Sequence, residues 1–194
     1  MSSTTLPSQM QAWQKPAVDT AASPVSNTVP VPSPGSHEIL LRILAAGVCH
    51  SDSYLLSAAR TLLVHKEPFT LGHEGCGEIV SLGPGTDSAK FRPGQRVSVV
   101  LAPGCKAAEC TECKRGLERL CKRMGIYGFQ QQGFFAPYVV VKDWAVVPVP
   151  GGEFRHHSSF SCGHRADVSS CAVAGCCCRA GCGVDCVPRG QNAG

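Results

Sequence analysis

Two short segments near the middle of the chain carry side chains that bind transition metals. One is the run Cys49-His50-Ser51-Asp52, and the other is the triplet Gly72-His73-Glu74. Cys49 and His73 offer a thiolate and an imidazole, the mixture favoured by a catalytic Zn²⁺, which usually keeps one position open. A lone cysteine after a strand is more often a small core residue, and a lone histidine is more often hydrogen-bonded in the core. The flanking residues, rather than either residue alone, favour a catalytic zinc site.

Four cysteines follow with the spacing C-x4-C-x2-C-x7-C, and these are Cys105, Cys110, Cys113 and Cys121. This pattern is typical of a structural zinc site, which is four-coordinate, closed and without a catalytic role. Reduced surface thiols or a strained disulfide pair are the alternatives. The chain has thirteen cysteines, an odd number. Because no signal peptide is evident, thiolate ligands in a reducing compartment are expected rather than a disulfide framework.

Length and charge limit the classes of protein to which the chain can belong. Its 194 residues are enough for one domain with a core, or for one domain and a tail. The balance of 18 basic and 14 acidic residues gives a net charge of +4, too mild to imply a polyanionic partner. No apolar stretch approaches the ~18 residues of a membrane helix. We therefore expect a soluble cytoplasmic protein that has neither nucleic acid nor a membrane as its partner.

Short apolar segments bounded by Gly, Pro or Asp predict a mainly β domain, and the candidate metal-binding side chains lie on it. Many short strands without long helical periodicity favour an all-β barrel over a β–α–β layout. One helix is expected before the cysteine group, over Ser53–Leu63, and Cys49 should lie at the exit of the first predicted strand. The predicted strands are Glu38–Gly47, Gly75–Leu82, Gln95–Leu101, Phe135–Val141 and Trp144–Val149.

The two ends of the chain differ from this central part. Residues 1–9 are polar and predict a disordered extension, and the prolines between Pro16 and Gly35 predict loop or edge-strand structure. Residues 151–194 hold seven of the thirteen cysteines and no Leu, Ile, Lys, Thr, Met, Tyr or Trp. A folded domain without leucine is unusual. We expect an irregular Cys-rich tail, and our hypothesis is that it is translated out of the ancestral frame or from a mis-spliced message.

The motifs around the first two segments resemble a known family. The strings GVCHSD (47–52) and GHEGCGEIVSLG (72–83) resemble the catalytic-zinc motifs of the zinc-dependent medium-chain alcohol dehydrogenases. MQAWQKP (10–16) and GQRV (94–97) resemble the N-terminal, GroES-like catalytic domain of that family. The resemblance covers about residues 10–150. It implies a mainly β fold, a GroES-like partly open β-barrel with a zinc lobe and short helices, followed by the irregular tail.

The resemblance also implies a reaction and its zinc ligands. Cys49 and His73 would bind the catalytic zinc, and Glu74 would be an alternate ligand that assists exchange. Zn²⁺ lowers the pKa of a bound hydroxyl, so that a zinc alkoxide forms near neutral pH and releases hydride to NAD or NADP. The small-molecule alcohol would become an aldehyde or a ketone. The four-cysteine group would hold the structural zinc.

Three neighbouring residues receive roles from the same resemblance. Ser51 would take the proton from the bound alcohol, and His50 would meet the pyrophosphate of the cofactor. Asp52 would accept a hydrogen bond from His73 and so fix which imidazole nitrogen faces the metal. These roles make Cys49, Ser51, Asp52, His73 and Glu74 the candidate catalytic residues.

The sequence departs from the family pattern in several places. Ser53-Tyr54 stands where many members carry the histidine of an outer proton relay, and Gln95 stands where Asp is usual. Two additional residues follow Cys105, although loop closure cost rises only slowly with length. Cys162 lies near the expected distance for a third catalytic ligand, but its flanking residues do not resemble the family.

A nicotinamide-binding motif is not found in the sequence. The family binds this cofactor on a Rossmann domain with a G-x-G-x-x-G turn, and the nearest string here, Gly181-Cys182-Gly183, lacks the third glycine. The expectation is a truncated domain that is inactive alone and that forms a homo-oligomer at full length. The alternative is a non-catalytic zinc module. It would be a metal-binding scaffold or a nucleic-acid-contacting zinc ribbon, whose basic residues are Lys106, Lys114, Arg115, Arg119, Lys122 and Arg123.

Overall fold

A computed structural model describes residues 5–16, 23–57 and 68–149 of the chain, which form eight strands, two short α-helices and two 3₁₀ turns. The 3₁₀ turns are Glu118–Leu120 and Asp143–Ala145. The helices are α1 (His50–Ser57) and α2 (Thr111–Lys114). The strands are β1 (Gln9–Lys15), β2 (Val25–Pro30), β3 (Glu38–Gly47), β4 (Phe69–Thr70), β5 (Glu74–Leu82), β6 (Arg96–Val99), β7 (Tyr138–Lys142) and β8 (Val146–Pro148).

The larger sheet has five antiparallel strands in the order β7-β3-β5-β6-β8. β-Branched and other large apolar residues of β3 and β5 face inward and form its core, which includes Ile39, Leu41, Ile43 and Ile79. Each of these side chains is at most 3% exposed. Burial of four such side chains contributes several kcal/mol. The central strands β3 and β5 are therefore a rigid support for the residues at their ends.

The smaller sheet has three strands in the order β2-β1-β4. A second cluster of buried side chains, separate from the core of the larger sheet, consists of Leu55 from α1, Phe69 of β4 and Leu71. The described strands form two separate sheets rather than one closed barrel, which agrees with a partly open GroES-like fold. None of the described helices has the length and apolarity needed to cross a membrane.

The register of β3 and β5 brings the two predicted motifs together. Gly47, the last residue of β3, is paired with Glu74, the first residue of β5. A Cβ on Gly47 would lie 2.2 Å from Glu74 Oε2, so a larger residue here would displace the carboxylate of Glu74. Cys49 then follows the end of β3, and His73 precedes the start of β5.

The predicted elements are confirmed in position, with differences at their ends. β3 matches its prediction, and β5 begins one residue early. β7 begins later than expected, at Tyr138, because Pro137 precedes it and the carbonyl of Pro137 bonds outside the β-ladder to Ile43. The first residues of the predicted strand 144–149 form a 3₁₀ turn instead. The Pro-rich segment contains the edge strand β2, as loop or edge-strand structure was predicted there.

The helix predicted over Ser53–Leu63 begins earlier, at His50. The reason is that the carboxylate of Asp52 accepts a hydrogen bond from the backbone N–H of Cys49 at 2.9 Å, in the manner of a capping box. Its predicted end lies outside the described residues, as do residues 1–4 of the predicted N-terminal extension and the tail from 151 to 194. β1 begins at Gln9, the last residue of that predicted extension.

Candidate metal centres

Cys49, His73 and Glu74 form the first candidate metal centre. Their ligand atoms all lie within 4.8 Å of one another. His73 is 5% exposed, whereas Cys49 and Glu74 are half-buried, so the group is open on one side. A thiolate, an imidazole and a carboxylate are ligands that zinc accepts together. The residues present therefore fit a zinc ion that retains an accessible position.

The hydroxyl of Ser51 lies between two of these ligand side chains. Its Oγ is 3.2 Å from Cys49 Sγ and 3.0 Å from His73 Nε2. Because α1 begins at His50, Ser51 is in the first turn of the helix and faces the group directly. A hydroxyl at this position can exchange a proton with a molecule bound beside the thiolate and the imidazole.

Asp52 uses each of its carboxylate oxygens for a different contact. Oδ2 accepts from the N–H of Cys49 at 2.9 Å, and Oδ1 lies 3.2 Å from His73 Nδ1. Both side chains are nearly fully buried. This contact assigns the proton to Nδ1 in neutral His73 and leaves Nε2 free to coordinate a metal.

The protonation of this group follows from its contacts. Burial lowers the pKa of His73, but the hydrogen bond and charge of Asp52, followed by those of Cys49, outweigh it and raise the pKa to about 9. Hydrogen bonds from Ser51 and then from His73 lower the pKa of the Cys49 thiol. Each side chain thus favours the charged form of the other, and a zinc ion bound here would replace the proton on Nε2.

Phe129 completes one wall of the centre, and no sequence motif predicts it. Its ring meets the imidazole of His73 edge to face, with centroids 5.3 Å apart and an interplanar angle of 64°. Phe129 follows Gly128, whose φ of 75° requires glycine and whose backbone lies against the carbonyl of Gly72. No spacing rule links Phe129 to the motifs of Cys49 and His73, because the contact depends on the loop between the four-cysteine segment, residues 105–121, and β7.

A cleft of about 370 Å³ adjoins the centre, and its lining includes His73, Glu74, Cys76, Ser98 and Val99. This volume is sufficient for a small organic molecule. His50 is exposed at the start of α1, and Ser53 and Tyr54 are exposed on the same helix. The weak third-ligand candidate, Cys162, lies outside the described residues.

Cys105, Cys110, Cys113 and Cys121 form the second candidate metal centre, and we call the segment that carries them, residues 105–121, the lobe. Their sulfurs lie within 4.8 Å of one another, with Cys105 and Cys113 at 3.9 Å and Cys110 and Cys121 at 3.7 Å. Tetrahedral zinc with Zn–S bonds of about 2.3 Å requires sulfurs about 3.8 Å apart. A disulfide requires about 2.05 Å, and all four thiols are free. The longer spacing after Cys105 does not keep its sulfur from the group.

Local backbone conformations and one indole contact hold the lobe in place. Gly104 has a φ of 73°, and a Cβ there would lie 3.1 Å from Cys113 Sγ, so glycine is needed directly before Cys105. The indole Nε1 of Trp144 donates to the carbonyl of Gly104 at 3.3 Å. The lobe is thereby attached to the end of the larger sheet. Lys106 pairs with Glu118 at its surface.

A comparison with protein-family models matches residues 35–151, more than half of the chain, to the alcohol dehydrogenase GroES-like domain. Among curated proteins, alcohol dehydrogenase 2 of Emericella nidulans is 33% identical over 129 residues, which is 63% of this chain and 34% of that protein. L-threonine 3-dehydrogenase of Pyrococcus furiosus is 37% identical over 116 residues, 58% of this chain and 32% of that protein. The chain spans about a third of the length of these relatives.

Solved structures show the same likeness. Acetophenone reductase from Geotrichum candidum, determined in complex with NAD, is 28% identical, with a TM-score of 0.67 over 77% of this chain and 42% of that one. D-arabinose dehydrogenase from Sulfolobus solfataricus is 28% identical, with a TM-score of 0.61 over 73% of this chain and 41% of that one. The metal-binding geometry, the fold and the family match agree. The chain belongs to the GroES-like domain family of zinc-type alcohol dehydrogenases.

Proposed function

We propose that the chain is the zinc-binding catalytic domain of an NAD(P)-dependent alcohol dehydrogenase that oxidises an alcohol to an aldehyde or a ketone. The observation that supports this most strongly is the convergence of Cys49, His73 and Glu74 beside an open cleft, with Ser51 between the first two. A closed structural site would have neither the hydroxyl nor the cleft.

Cys49 and His73 would hold the catalytic zinc, with Glu74 as an alternate ligand. When bound, Zn²⁺ lowers the pKa of a coordinated hydroxyl by several units, so that the alcohol can lose its proton near neutral pH. Ser51 would relay that proton, accepting it on Oγ while its own hydroxyl proton passes to solvent, since Oγ lies within hydrogen-bonding distance of both ligand side chains and Ser51 is partly exposed. Asp52 keeps the imidazole in the required tautomer.

The nicotinamide cofactor enters this proposal through the family alone. His50 is exposed beside the site, which suits contact with a cofactor pyrophosphate. The chain spans about a third of its curated relatives, and G-x-G-x-x-G does not occur in its 194 residues. We therefore propose the zinc chemistry for this domain and expect hydride transfer to need a dinucleotide-binding domain in addition. We also propose that this catalytic domain comprises residues 10–150.

Metal content and alcohol binding test the proposal on the chain itself. We expect two zinc ions per chain by atomic emission, and one after Cys49→Ala. With Co²⁺ at the first centre, a primary alcohol should shift the visible absorption bands, because the open position accepts a hydroxyl. The four-sulfur centre should not respond. If no alcohol or aldehyde perturbs the bands of a doubly loaded protein, the catalytic assignment is wrong.

The charge pattern of the lobe gives the nucleic-acid alternative little support. Of its basic residues, Lys106 pairs with Glu118 and Arg123 pairs with Glu109. These ion pairs reduce the positive charge available for phosphates. Salt-dependent retention on heparin or DNA would favour that alternative, and four or more metal ions per chain would favour the scaffold.

A further inference from the structure

Lys15 is a buried lysine outside both metal centres. It is the last residue of β1 and only 1% exposed. Burying an ammonium group is costly unless polar partners compensate it. Its Nζ donates to the carbonyl of Leu55 at 2.6 Å, across forty positions of sequence. A buried cation that reaches from a strand to a helix indicates a specific positional requirement.

The partner carbonyl belongs to α1, whose described residues end at Ser57. Leu55 lies three residues after Asp52 and four after Ser51, so it shares the face of the helix that carries these two side chains. The bond from Lys15 Nζ therefore ties β1 to the part of the helix that presents Ser51 and Asp52 to the centre.

Lys15 also belongs to the backbone pairing that leads to His73. It is paired with Phe69 of β4, and β4 is followed by Leu71 and Gly72, directly before His73. The N–H of Leu71 bonds to β1 as well, through the carbonyl of Trp13 at 3.0 Å. The backbone of β1 thus fixes the segment of His73, and the side chain of Lys15 fixes the helix that carries Ser51 and Asp52.

We propose that Lys15 is a positioning residue for the Cys49/His73 centre. It holds α1 at the distance from β4 that lets Ser51 and Asp52 reach His73. This inference rests on the proposed function, because it assumes that the centre binds zinc.

The test compares Lys15→Met, which keeps the length of the side chain but removes the donor, with Lys15→Arg, which keeps a cation. Lys142→Met is the matched control, since Lys142 also makes a cross-strand contact, to Glu38 at 2.8 Å, but in the larger sheet. The measurements are zinc affinity at each centre by competition with a chelator, and the visible spectrum with Co²⁺. Thermal stability is recorded for every variant.

We expect Lys15→Met to weaken zinc binding at the Cys49/His73 centre about tenfold, the lower end for residues that orient metal ligands. The Co²⁺ bands of that centre should change, affinity at the lobe should stay the same, and Lys15→Arg should restore most of the loss. Unchanged affinity and bands in Lys15→Met, with stability lowered as in Lys142→Met, would overturn the inference. If Lys15→Met does not fold, Lys15→Gln replaces it and must show the same weakening. A wild-type protein that binds zinc at the lobe alone would instead overturn the proposed function, and this inference with it.

Discussion

The Nδ1 atom of His73 lies 3.2 Å from Oδ1 of Asp52, and both side chains are almost completely buried. The same carboxylate begins α1 through the N–H of Cys49. One side chain therefore orients the imidazole and sets the position of the thiol. The two proposed ligands depend on Asp52 although it is not a ligand itself.

Asp52→Asn should weaken zinc binding at the first centre by about 10- to 100-fold, as is typical when the partner of a metal-binding histidine is changed. The amide keeps the volume but removes the charge and can reverse the tautomer of His73. Chelator competition measures the effect. Asp143→Asn is the control, since Asp143 meets His37 at the same 3.2 Å on an exposed surface, and zinc affinity should not change. Equal effects of both variants would contradict the role of Asp52.

Cys113→Ser should remove one zinc ion per chain and leave the other bound. Its sulfur lies 3.9 Å from that of Cys105, within the four-sulfur group, and hydroxyl oxygen is a poor replacement for thiolate. Zinc content and heat-induced unfolding are the measurements, and the melting temperature should fall because metal binding contributes to folding. Cys76→Ser is the control, as Cys76 belongs to neither metal-binding group. Retention of two ions by Cys113→Ser would contradict the lobe assignment.

Gly72→Ala should destabilise the protein strongly. Gly72 has a φ of 89°, and a Cβ there would lie 2.4 Å from the ring of Phe135. Left-handed backbone alone costs an L-residue about 1–2 kcal/mol, and the clash adds to it. Gly94→Ala isolates the backbone cost, because Gly94 has a φ of 82° and no atom within 4 Å of a new Cβ. Denaturant unfolding of the zinc-loaded variants should show the larger loss at Gly72, and equal losses would contradict the steric argument.

The ion pair between Glu38 and Lys142 should contribute to stability in a pH-dependent way. Burial raises the pKa of Glu38, but the hydrogen bonds from Lys142 and Gly35 and the charge of Lys142 outweigh it, so the pKa lies below 4.5. A lowered folded pKa means stabilisation that is fully present above 4.5 and lost as the pH falls through the folded value.

A double-mutant cycle with Glu38→Gln and Lys142→Met measures this contribution. We expect a coupling free energy of about 0.3–1 kcal/mol at pH 7, as for other partly exposed pairs, that declines as the pH falls below 4.5. A coupling that is already lost at pH 5 would contradict the lowered pKa of Glu38.

The structure brings together the side chains that the sequence motifs contain, whereas two of the elements that hold them have no such motif. The segments around Cys49 and His73 are short and local, so their motifs are visible without a structure. β1 and β4 were not predicted as strands, because β1 is rich in Gln and β4 has only two residues. The contacts of Lys15 and Phe129 join positions far apart in sequence, and no local pattern indicates such pairs.

Anomalous diffraction at the zinc absorption edge, from crystals of the zinc-loaded chain, would locate both ions. We expect two peaks, one within the four sulfurs of the lobe and one bonded to both Cys49 Sγ and His73 Nε2. A map with the lobe peak alone, in crystals where Cys49 and His73 are ordered, would contradict this expectation.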